Sequence, residues 1–540
     1  MSGLRAVIAI PARDEEALIG RCLRALAAQR GVARDAYSVV LVLDGCTDAT
    51  RERALQAAGD LRLHVVESPP LGVGAARRMG MEIACERLLA AGAPGGLVVT
   101  TDADSEVEPG WLAALLQAAA GGAQAIGGDV EVEGLDSGVA RRRQARLAAR
   151  LRGLPGAAHP HFSGASIAVT AETYRRVGGL EPRAALEDEA FARALASARV
   201  PIARIADARV RTSARPAGRA FRGLARDLAL DAWLERNAYR PCRLTPAELA
   251  ARKTAAVSVV VPAREVAATI GPTVDVLRRF LDAGAVDELF VVDAASNDGT
   301  AALARAAGAT VVQEDDLMPA FGPCRGKGDA MWRSLSATTG EIVAYVDADS
   351  EDFDERMLTG LLAPLFARPD LALVKGAFQR PFAAGRDVLP GEGGRVTELM
   401  ARPLLNLHRP ALAGFAQPLA GEVAARRGLL ERLAFPVGYG VEIAMLLDAE
   451  QLVGLDALAQ ADLGSRQNRH QPLDALSAMS YAVLVAASKR LLGPEAVDAL
   501  APGPYVLPRP GEADVRQVPV EERPPHVGAS RPRVAGTAPA

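Results

Sequence analysis

The sequence predicts an α/β fold class: two tandem domains, each built on a mostly parallel central sheet. One repeated motif and its context carry that reading. Leu97-Val98-Val99-Thr100-Thr101-Asp102-Ala103-Asp104-Ser105-Glu106 is matched about 245 residues later by Ile342-Val343-Ala344-Tyr345-Val346-Asp347-Ala348-Asp349-Ser350-Glu351. Each is an apolar strand that ends in two carboxylates one residue apart. What precedes each motif recurs in the same order. Ala6-Val7-Ile8-Ala9-Ile10-Pro11-Ala12-Arg13 corresponds to Val257-Ser258-Val259-Val260-Val261-Pro262-Ala263-Arg264, a short apolar run stopped by proline. Leu18, Cys22 and Leu26 then fall at helical spacing, as do Ile270, Val274, Leu277 and Leu281. A second strand follows, Val39-Val40-Leu41-Val42-Leu43-Asp44 in one half and Glu288-Leu289-Phe290-Val291-Val292-Asp293 in the other. Gly72-Val73-Gly74 is mirrored by Gly326-Lys327-Gly328, each ahead of a helix. Apolar strands alternating with helices imply a parallel sheet covered on both faces. Such sheets bind ligands beyond the carboxyl ends of their strands. The Asp102/Asp104 and Asp347/Asp349 pairs fall there, and can hold a divalent cation and, through it, a diphosphate. Asp48 and Asp298 are also explained as helix-cap or turn residues.

Composition limits the function. A chain of 540 residues is more than one domain, and each half can bury a full core. A net charge of −3 gives no electrostatic case for nucleic acid. Arginines 141, 142, 143, 146, 150 and 152 read as a solvated helix face, with a phosphate or membrane surface as the less favoured alternative. Met1-Ser2-Gly3-Leu4-Arg5 leads directly into a strand, so no signal peptide is expected. No apolar run is expected to reach the roughly 18 residues of a membrane span. The stretch at 479–487 is short and lies between Asp474 and Lys489. Cysteines 22, 46, 85, 242 and 324 show no framework spacing, which fits reduced thiols and a cytoplasmic location. The expected organisation is a first domain at 1–240, a polar proline-containing connector at 241–255 and a second domain at 256–495. A Pro-rich tail at 496–540 is expected to be disordered.

The strand ending Pro11-Ala12-Arg13-Asp14-Glu15-Glu16, the strand ending Asp44-Gly45-Cys46-Thr47-Asp48, and Asp102-Ala103-Asp104 together resemble the nucleotide-sugar half of family 2 glycosyltransferases. That family has the GT-A fold, the Rossmann-like fold of nucleotide-diphospho-sugar transferases. The resemblance covers about residues 5–200 and names no sugar. It implies that the loop with Pro11 and Ala12, together with Asp44, holds the nucleobase. It further implies that Asp102 holds the donor and Asp104 the metal. In Glu187-Asp188-Glu189, after Gly164-Ala165-Ser166, it makes Asp188 the general base of an inverting transfer. An ordinary acidic helix start is the plainer reading of that cluster.

The second half is similar to the glucosyl-3-phosphoglycerate synthases over about residues 256–490. The matching segments are Gly326-Lys327-Gly328-Asp329-Ala330-Met331-Trp332-Arg333-Ser334-Leu335, Gly393-Gly394-Arg395-Val396-Thr397-Glu398-Leu399, Gln417-Pro418-Leu419-Ala420-Gly421-Glu422 and Gly438-Tyr439-Gly440-Val441-Glu442-Ile443. The resemblance implies a homodimeric, magnesium- or manganese-dependent enzyme. It would transfer glucose from UDP-glucose to the 2-hydroxyl of 3-phosphoglycerate with retention of configuration, feeding glucosylglycerate or methylglucose polysaccharide synthesis. Pro262, Ala263, Arg264, Asp293, Lys327 and Asp347 would bind the donor, and Asp349 the metal. Lys327 and Glu442 would act in catalysis. Gly394, Arg395, Val396 and Thr397 would bind the acceptor: a Gly-Gly turn exposes amides, and an arginine fork suits a phosphate or carboxylate. A surface turn with an ion-paired arginine is the plainer alternative.

Two departures bear on the donor. Pro262-Ala263-Arg264-Glu265-Val266-Ala267 has lost a glutamate of the family's first loop, and Ala294 stands where the family has serine. A third bears on the metal. The family completes its site with histidine in His-Arg-Asn; here the order is Asn468-Arg469-His470. Either Asn468 or His470 would complete the site, or His470 would face the acceptor. The first half has Val73 where the second has Lys327, so the two halves are not expected to be interchangeable. Competing readings are a non-catalytic first half, another nucleotide sugar or acceptor, a nucleotidyltransferase and a sugar-nucleotide sensor.

Overall fold

The protein is described by a computed structural model that covers residues 3–215, 223–380, 382–384, 387–389, 394–466, 472–509 and 511–528. It has two compact units, residues 1–235 and 236–540. Each unit carries an eight-stranded sheet, and the first seven strands of the two sheets follow the same order.

In the first unit the strands Leu63–Ser68, Tyr37–Asp44, Ala6–Ala12 and Leu97–Thr100 run parallel. Ile167–Thr170 then pairs antiparallel to both Leu97–Thr100 and Ala125–Glu133. Ile202–Ser213 lies parallel to Ala125–Glu133, and Ser105–Val107 closes the edge. The apolar runs are continuous because both faces of the sheet are covered. Ala6, Ile8 and Ile10 enter one core, while Val7 and Ala9 enter another. Alternate side chains leave opposite faces, so a strand buried on both sides has no polar position to spare.

The second unit repeats this with Thr310–Gln313, Glu288–Asp293, Val257–Ala263 and Ile342–Tyr345 parallel, then Val423–Arg426 antiparallel, Leu373–Gln379 and Leu458–Ser465. Its edge strand is Ala238–Tyr239, paired parallel to Leu458–Ser465. The stretch expected to end the first domain therefore opens the second. The expected connector also holds a helix, Pro246–Ala250, with a full capping box between Thr245 and Glu248. Leu249 in its last turn is fully buried in the second core.

The described part of the tail, up to residue 528, differs from expectation. Residues 505–509 pair with 512–516, and Glu522–Arg523 pairs with Phe435–Pro436. Composition alone argued for disorder there. Few side chains are needed to dock a strand whose backbone completes a two-stranded ladder, and three of these do so (Glu522, Arg523 and His526).

The arginine cluster lies on the helix Ser137–Leu151, where Arg142 meets Glu235 at 3.0 Å and Arg146 meets Asp231. Among the described residues one helix, Leu473–Leu492, is long and apolar enough by length and composition to cross a membrane. The short run read from the sequence extends in both directions on this helix. Ala482, Val483, Val485, Ala486 and Ala487 on it are buried in the unit. The five cysteines are free.

Candidate active sites

Both sites form where the parallel strands end. In the second unit Ala263 and Asp293 are the last residues of neighbouring strands and lie in register. Pro262 precedes Ala263, and Arg264 is exposed just beyond. Asp293 is buried; its Oδ2 accepts from Gln313 at 3.0 Å and from the Ser296 amide at 3.2 Å. Its Oδ1 is buried with no hydrogen-bond partner, so an acceptor is left for an incoming N–H. Ala294 donates its amide to the Ala263 carbonyl.

The helix Lys327–Ser334 brings the lysine to the aspartates. Gly326 before it has a φ of 136°, open to glycine alone without strain. A Cβ at Gly328 would overlap the Pro436 carbonyl oxygen, so this helix start lies directly against the loop that leads to Glu442. Lys327 Nζ donates to Asp347 Oδ1 at 2.6 Å and to Glu442 Oε1 at 2.8 Å. Burial works against the ammonium, but Asp347 and Glu442 outweigh it and hold the Lys327 pKa above its usual value. Burial likewise opposes the Asp347 charge. Lys327 and Arg466 overcome it and push that pKa well below the usual carboxylate range.

Arg466 follows the strand Leu458–Ser465 and is buried. It meets Glu422, lies 3.2 Å from Asp349 Oδ1 and stacks 5.4 Å over the Phe378 ring. Asp349 has about half of its side chain exposed (52%), whereas Asp347 has 18%. Asp349 is thus the more exposed carboxylate of the pair. Lys375 is fully buried, donates to the Ala420 carbonyl at 2.8 Å, and is pushed down by burial to a pKa of about 8.

The expected acceptor loop comes to this cluster through Arg380. Gly394 has a φ of 73°, and a Cβ there would reach Arg380 Cδ at 3.6 Å and Gln417 Oε1 at 3.9 Å. Asp347, Asp349 and Glu442 all act on Arg380 electrostatically. Val396 and Thr397 are buried, and Arg395 is half-buried. Asn468 and His470 lie outside the described residues, as does Gly393.

The first unit repeats the plan with different residues. Pro11 and Ala12 end one strand and Asp44 its neighbour. Both Asp44 oxygens accept from the backbone, at 2.6 Å from Leu71 and 3.0 Å from Gly72. Asp44 therefore shapes the loop before the helix Val73–Ala90, and its two oxygens still have lone pairs beyond those the two amides use. Asp102 is held by Arg77 at 2.8 Å, and the same guanidinium reaches Glu187 at 3.1 Å, Thr100 at 3.0 Å and the Gly164 carbonyl at 3.0 Å. Arg77 stands one helical turn beyond Val73 and is buried. It does for Asp102 and Glu187 what Lys327 does for Asp347 and Glu442. The Val73/Lys327 difference therefore does not remove the cation from the first site; a longer side chain supplies it from the next turn. Asp104 is bound by Arg215 at 2.8 Å, and Arg215 also grips Glu15. Asp188 lies beside this cluster, its pKa raised by burial and by Glu187. Asp48 and Asp298 cap Thr50 and Thr300 in equivalent turns.

Arg77, Arg215, Arg466, Arg380 and Lys375 were not singled out by sequence. One signal was present. The last long strand of each half ends in a serine followed within two residues by arginine, Ser213-Ala214-Arg215 and Ser465-Arg466.

A strand-end aspartate bridged by a cationic side chain to a helix-start carboxylate, beyond the ends of parallel strands, fits a glycosyltransferase of nucleotide-sugar type. The chain belongs to glycosyl transferase family 2, whose model matches residues 7–174 and 258–392, and about half of it to the glucosyl-3-phosphoglycerate synthases. It is 44% identical over 253 residues to the glucosyl-3-phosphoglycerate synthase of Mycolicibacterium smegmatis, across 47% of this chain and 83% of that one. The crystal structure of mannosyl-3-phosphoglycerate synthase from Rubrobacter xylanophilus matches with TM-score 0.50 and 40% identity, over 56% of this chain and 99% of that one. That of glucosyl-3-phosphoglycerate synthase from Mycobacterium tuberculosis with Mn2+, UDP-glucose and phosphoglyceric acid matches with TM-score 0.49 and 39% identity, over 54% and 98%.

Proposed function

We propose that the second unit transfers a glucosyl group from UDP-glucose to the 2-hydroxyl of 3-phosphoglycerate, and that the first unit is a second glycosyltransferase of different substrate. The observation that carries the first part is the Lys327–Asp347–Glu442 cluster, with Arg380 lying within its field and beside Gly394 of the expected acceptor loop.

Asp349, open and oxygen-donating, fits Mg2+ or Mn2+, with Asn468 or His470 as the further ligand the family resemblance offers. When bound, that ion supplies charge to a departing diphosphate. The protein's own groups do the rest. The Asp293 Oδ1 acceptor faces a nucleobase N–H. An ammonium has three donors; Lys327 gives two to carboxylates, leaving one for a diphosphate oxygen. Glu442, fixed by Lys327, orients the sugar hydroxyls. Arg395, Thr397 and the Gly394 turn take the acceptor's phosphate and carboxylate. The acceptor oxygen bonds to the anomeric carbon on the face from which the diphosphate leaves, and its proton passes to a diphosphate oxygen. In the first unit, Asp188, with its raised pKa, suits a general base for an inverting transfer. The exposed leucines 399, 407, 473 and 484 support a homodimer.

A second reading, a mannosyl donor, draws on the Rubrobacter xylanophilus match and on the altered first loop, Arg264-Glu265-Val266. A donor screen separates them. Release of UDP from UDP-glucose, dependent on phosphoglycerate and a divalent cation, is expected. Release of GDP from GDP-mannose instead moves the assignment to the mannosyl reading, and turnover without phosphoglycerate rejects the acceptor.

A further inference from the structure

The lysine helix is held from outside by the last described segment of the chain. Arg523 donates from Nε to Asp329 Oδ1 at 2.9 Å and from Nη2 to Asp329 Oδ2 at 2.6 Å, a two-pronged grip on a carboxylate two residues from Lys327. Its third arm reaches the Phe321 carbonyl at 3.0 Å, and its guanidinium stacks over Phe321 and Trp332. Trp332 Nε1 donates to the Pro524 carbonyl at 2.8 Å, and the buried His526 ring packs on the same indole.

The same segment also holds the second catalytic helix, Val441–Val453. Glu522 and Arg523 pair with Pro436 and Phe435, and the Val437 amide donates to Glu521 at 3.0 Å. Glu522 meets Arg490 at 2.7 Å, and Arg490 in turn meets Asp448 of that helix. The segment therefore spans the starts of the two helices that bring Lys327 and Glu442 together. Asp329 does not need Arg523 for neutralisation, because Arg333 already donates to it at 3.0 Å. In the first unit, the corresponding glycine, Gly74, presses on the Arg183 backbone, and no strand covers that junction among the described residues.

We propose that Arg523 is a positioning residue of the second site, and that residues 519–528 are a strap that sets the Lys327–Glu442 separation. This rests on the assignment of those two residues to the transfer site. A shift on the order of 1 Å in a reacting constellation costs roughly a hundredfold in rate.

The test is Arg523→Ala in the full chain, read by steady-state kinetics and by hydrogen exchange. The expected result is a kcat lower by roughly ten- to a hundredfold with both KM values nearly unchanged. Exchange should quicken at 325–329 and 437–442 and stay unaltered in the first unit. Arg523→Lys, which keeps the charge but loses the fork, should restore only part of kcat; full restoration overturns the two-pronged grip. Wild-type kcat and exchange in Arg523→Ala overturn the proposal. Should that variant unfold the second unit, Trp332→Phe, which removes the N–H donated to Pro524 and trims the buried ring on which Arg523 and His526 pack, decides by the same two measurements. If the wild-type chain turns over no nucleotide sugar with phosphoglycerate, the functional assignment falls. Exchange then decides the strap alone, and unaltered protection at 325–329 and 437–442 overturns it.

Discussion

The two units solve one electrostatic problem with different residues. Each must keep two carboxylates, one at a strand end and one at a helix start, close together and out of bulk water. The second unit places a lysine at the helix start, and Lys327 reaches Asp347 and Glu442 with two of its three N–H groups. The first unit uses Arg77 a turn later, and four of its five N–H groups are taken by Asp102, Glu187, Thr100 and Gly164. A planar fork fixed on four partners is a structural clamp; an ammonium can turn its remaining proton toward a ligand. The base pockets differ in the same sense. Both Asp44 oxygens accept from the Leu71 and Gly72 amides, whereas Asp293 keeps one oxygen without a partner. The second unit is thus the more open to a ligand, and the first the more self-satisfied. The arginine after the last strand follows suit. Arg215 leans on Glu15 of the first loop. Where Val266 replaces that glutamate, Arg466 is met by Glu422, just ahead of the strand Val423–Arg426.

The comparison breaks most sharply at the aspartates. Asp349→Ala should lower phosphoglycerate-dependent UDP release by at least about a hundredfold with the fold intact, since it removes an exposed ligand. Asp102→Ala should leave that release nearly unchanged. Loss of phosphoglycerate-dependent release in Asp102→Ala would mean that one site, not two, performs the reaction.

The cations come next. Arg77→Ala leaves Asp102 and Glu187 facing each other with no bridge. Breaking a buried pair in this way costs about 3–5 kcal/mol, so the melting transition of the first unit should fall steeply. Lys327→Met should lower kcat about a hundredfold while the second unit stays folded, because Arg466 still serves Asp347. Calorimetry and kinetics on both variants would show whether clamp and donor are distinct roles; equal losses of stability would merge them.

Arg395→Ala probes the acceptor loop alone. A charge-assisted hydrogen bond to a phosphate is worth about 1.5–3 kcal/mol, so KM for phosphoglycerate should rise roughly ten- to a hundredfold while that for the donor holds. Equal changes in both constants would make Arg395 a structural residue.

The smallest effect is expected from pH. The folded pKa of Lys375 is about 8 against an ordinary 10.5, with burial the main cause. Above the unfolded value, neither state holds the proton. As pH falls from 10.5 toward 8, the unfolded chain protonates first and the folded state loses ground. The stability gained by Lys375→Met over wild type should therefore grow over that window, to about 3 kcal/mol at most, and level off below it. A difference that does not vary with pH would show that Lys375 titrates normally.

The repeated strands, the aspartate pairs and the helix glycines were legible in sequence because each obeys a local rule. Apolar runs make strands, carboxylates at strand ends face ligands, and glycine serves where φ is positive or a backbone presses close. The residues that complete the sites were not legible in this way. Arg77 lies 110 residues from Glu187, and Arg523 lies 194 from Asp329. No local pattern connects such partners, and an arginine in a helix or a Pro-rich tail looks like solvated surface. By itself the sequence determined the two α/β units, the succession of strands and helices ahead of each acidic pair and the positions of those pairs, because periodicity and strand termination are short-range physics. Only the tertiary structure decided which cation meets which carboxylate, which aspartate stays open to a ligand, and that the tail closes over the lysine helix. Those outcomes depend on burial and charge contributed by segments far apart in the chain.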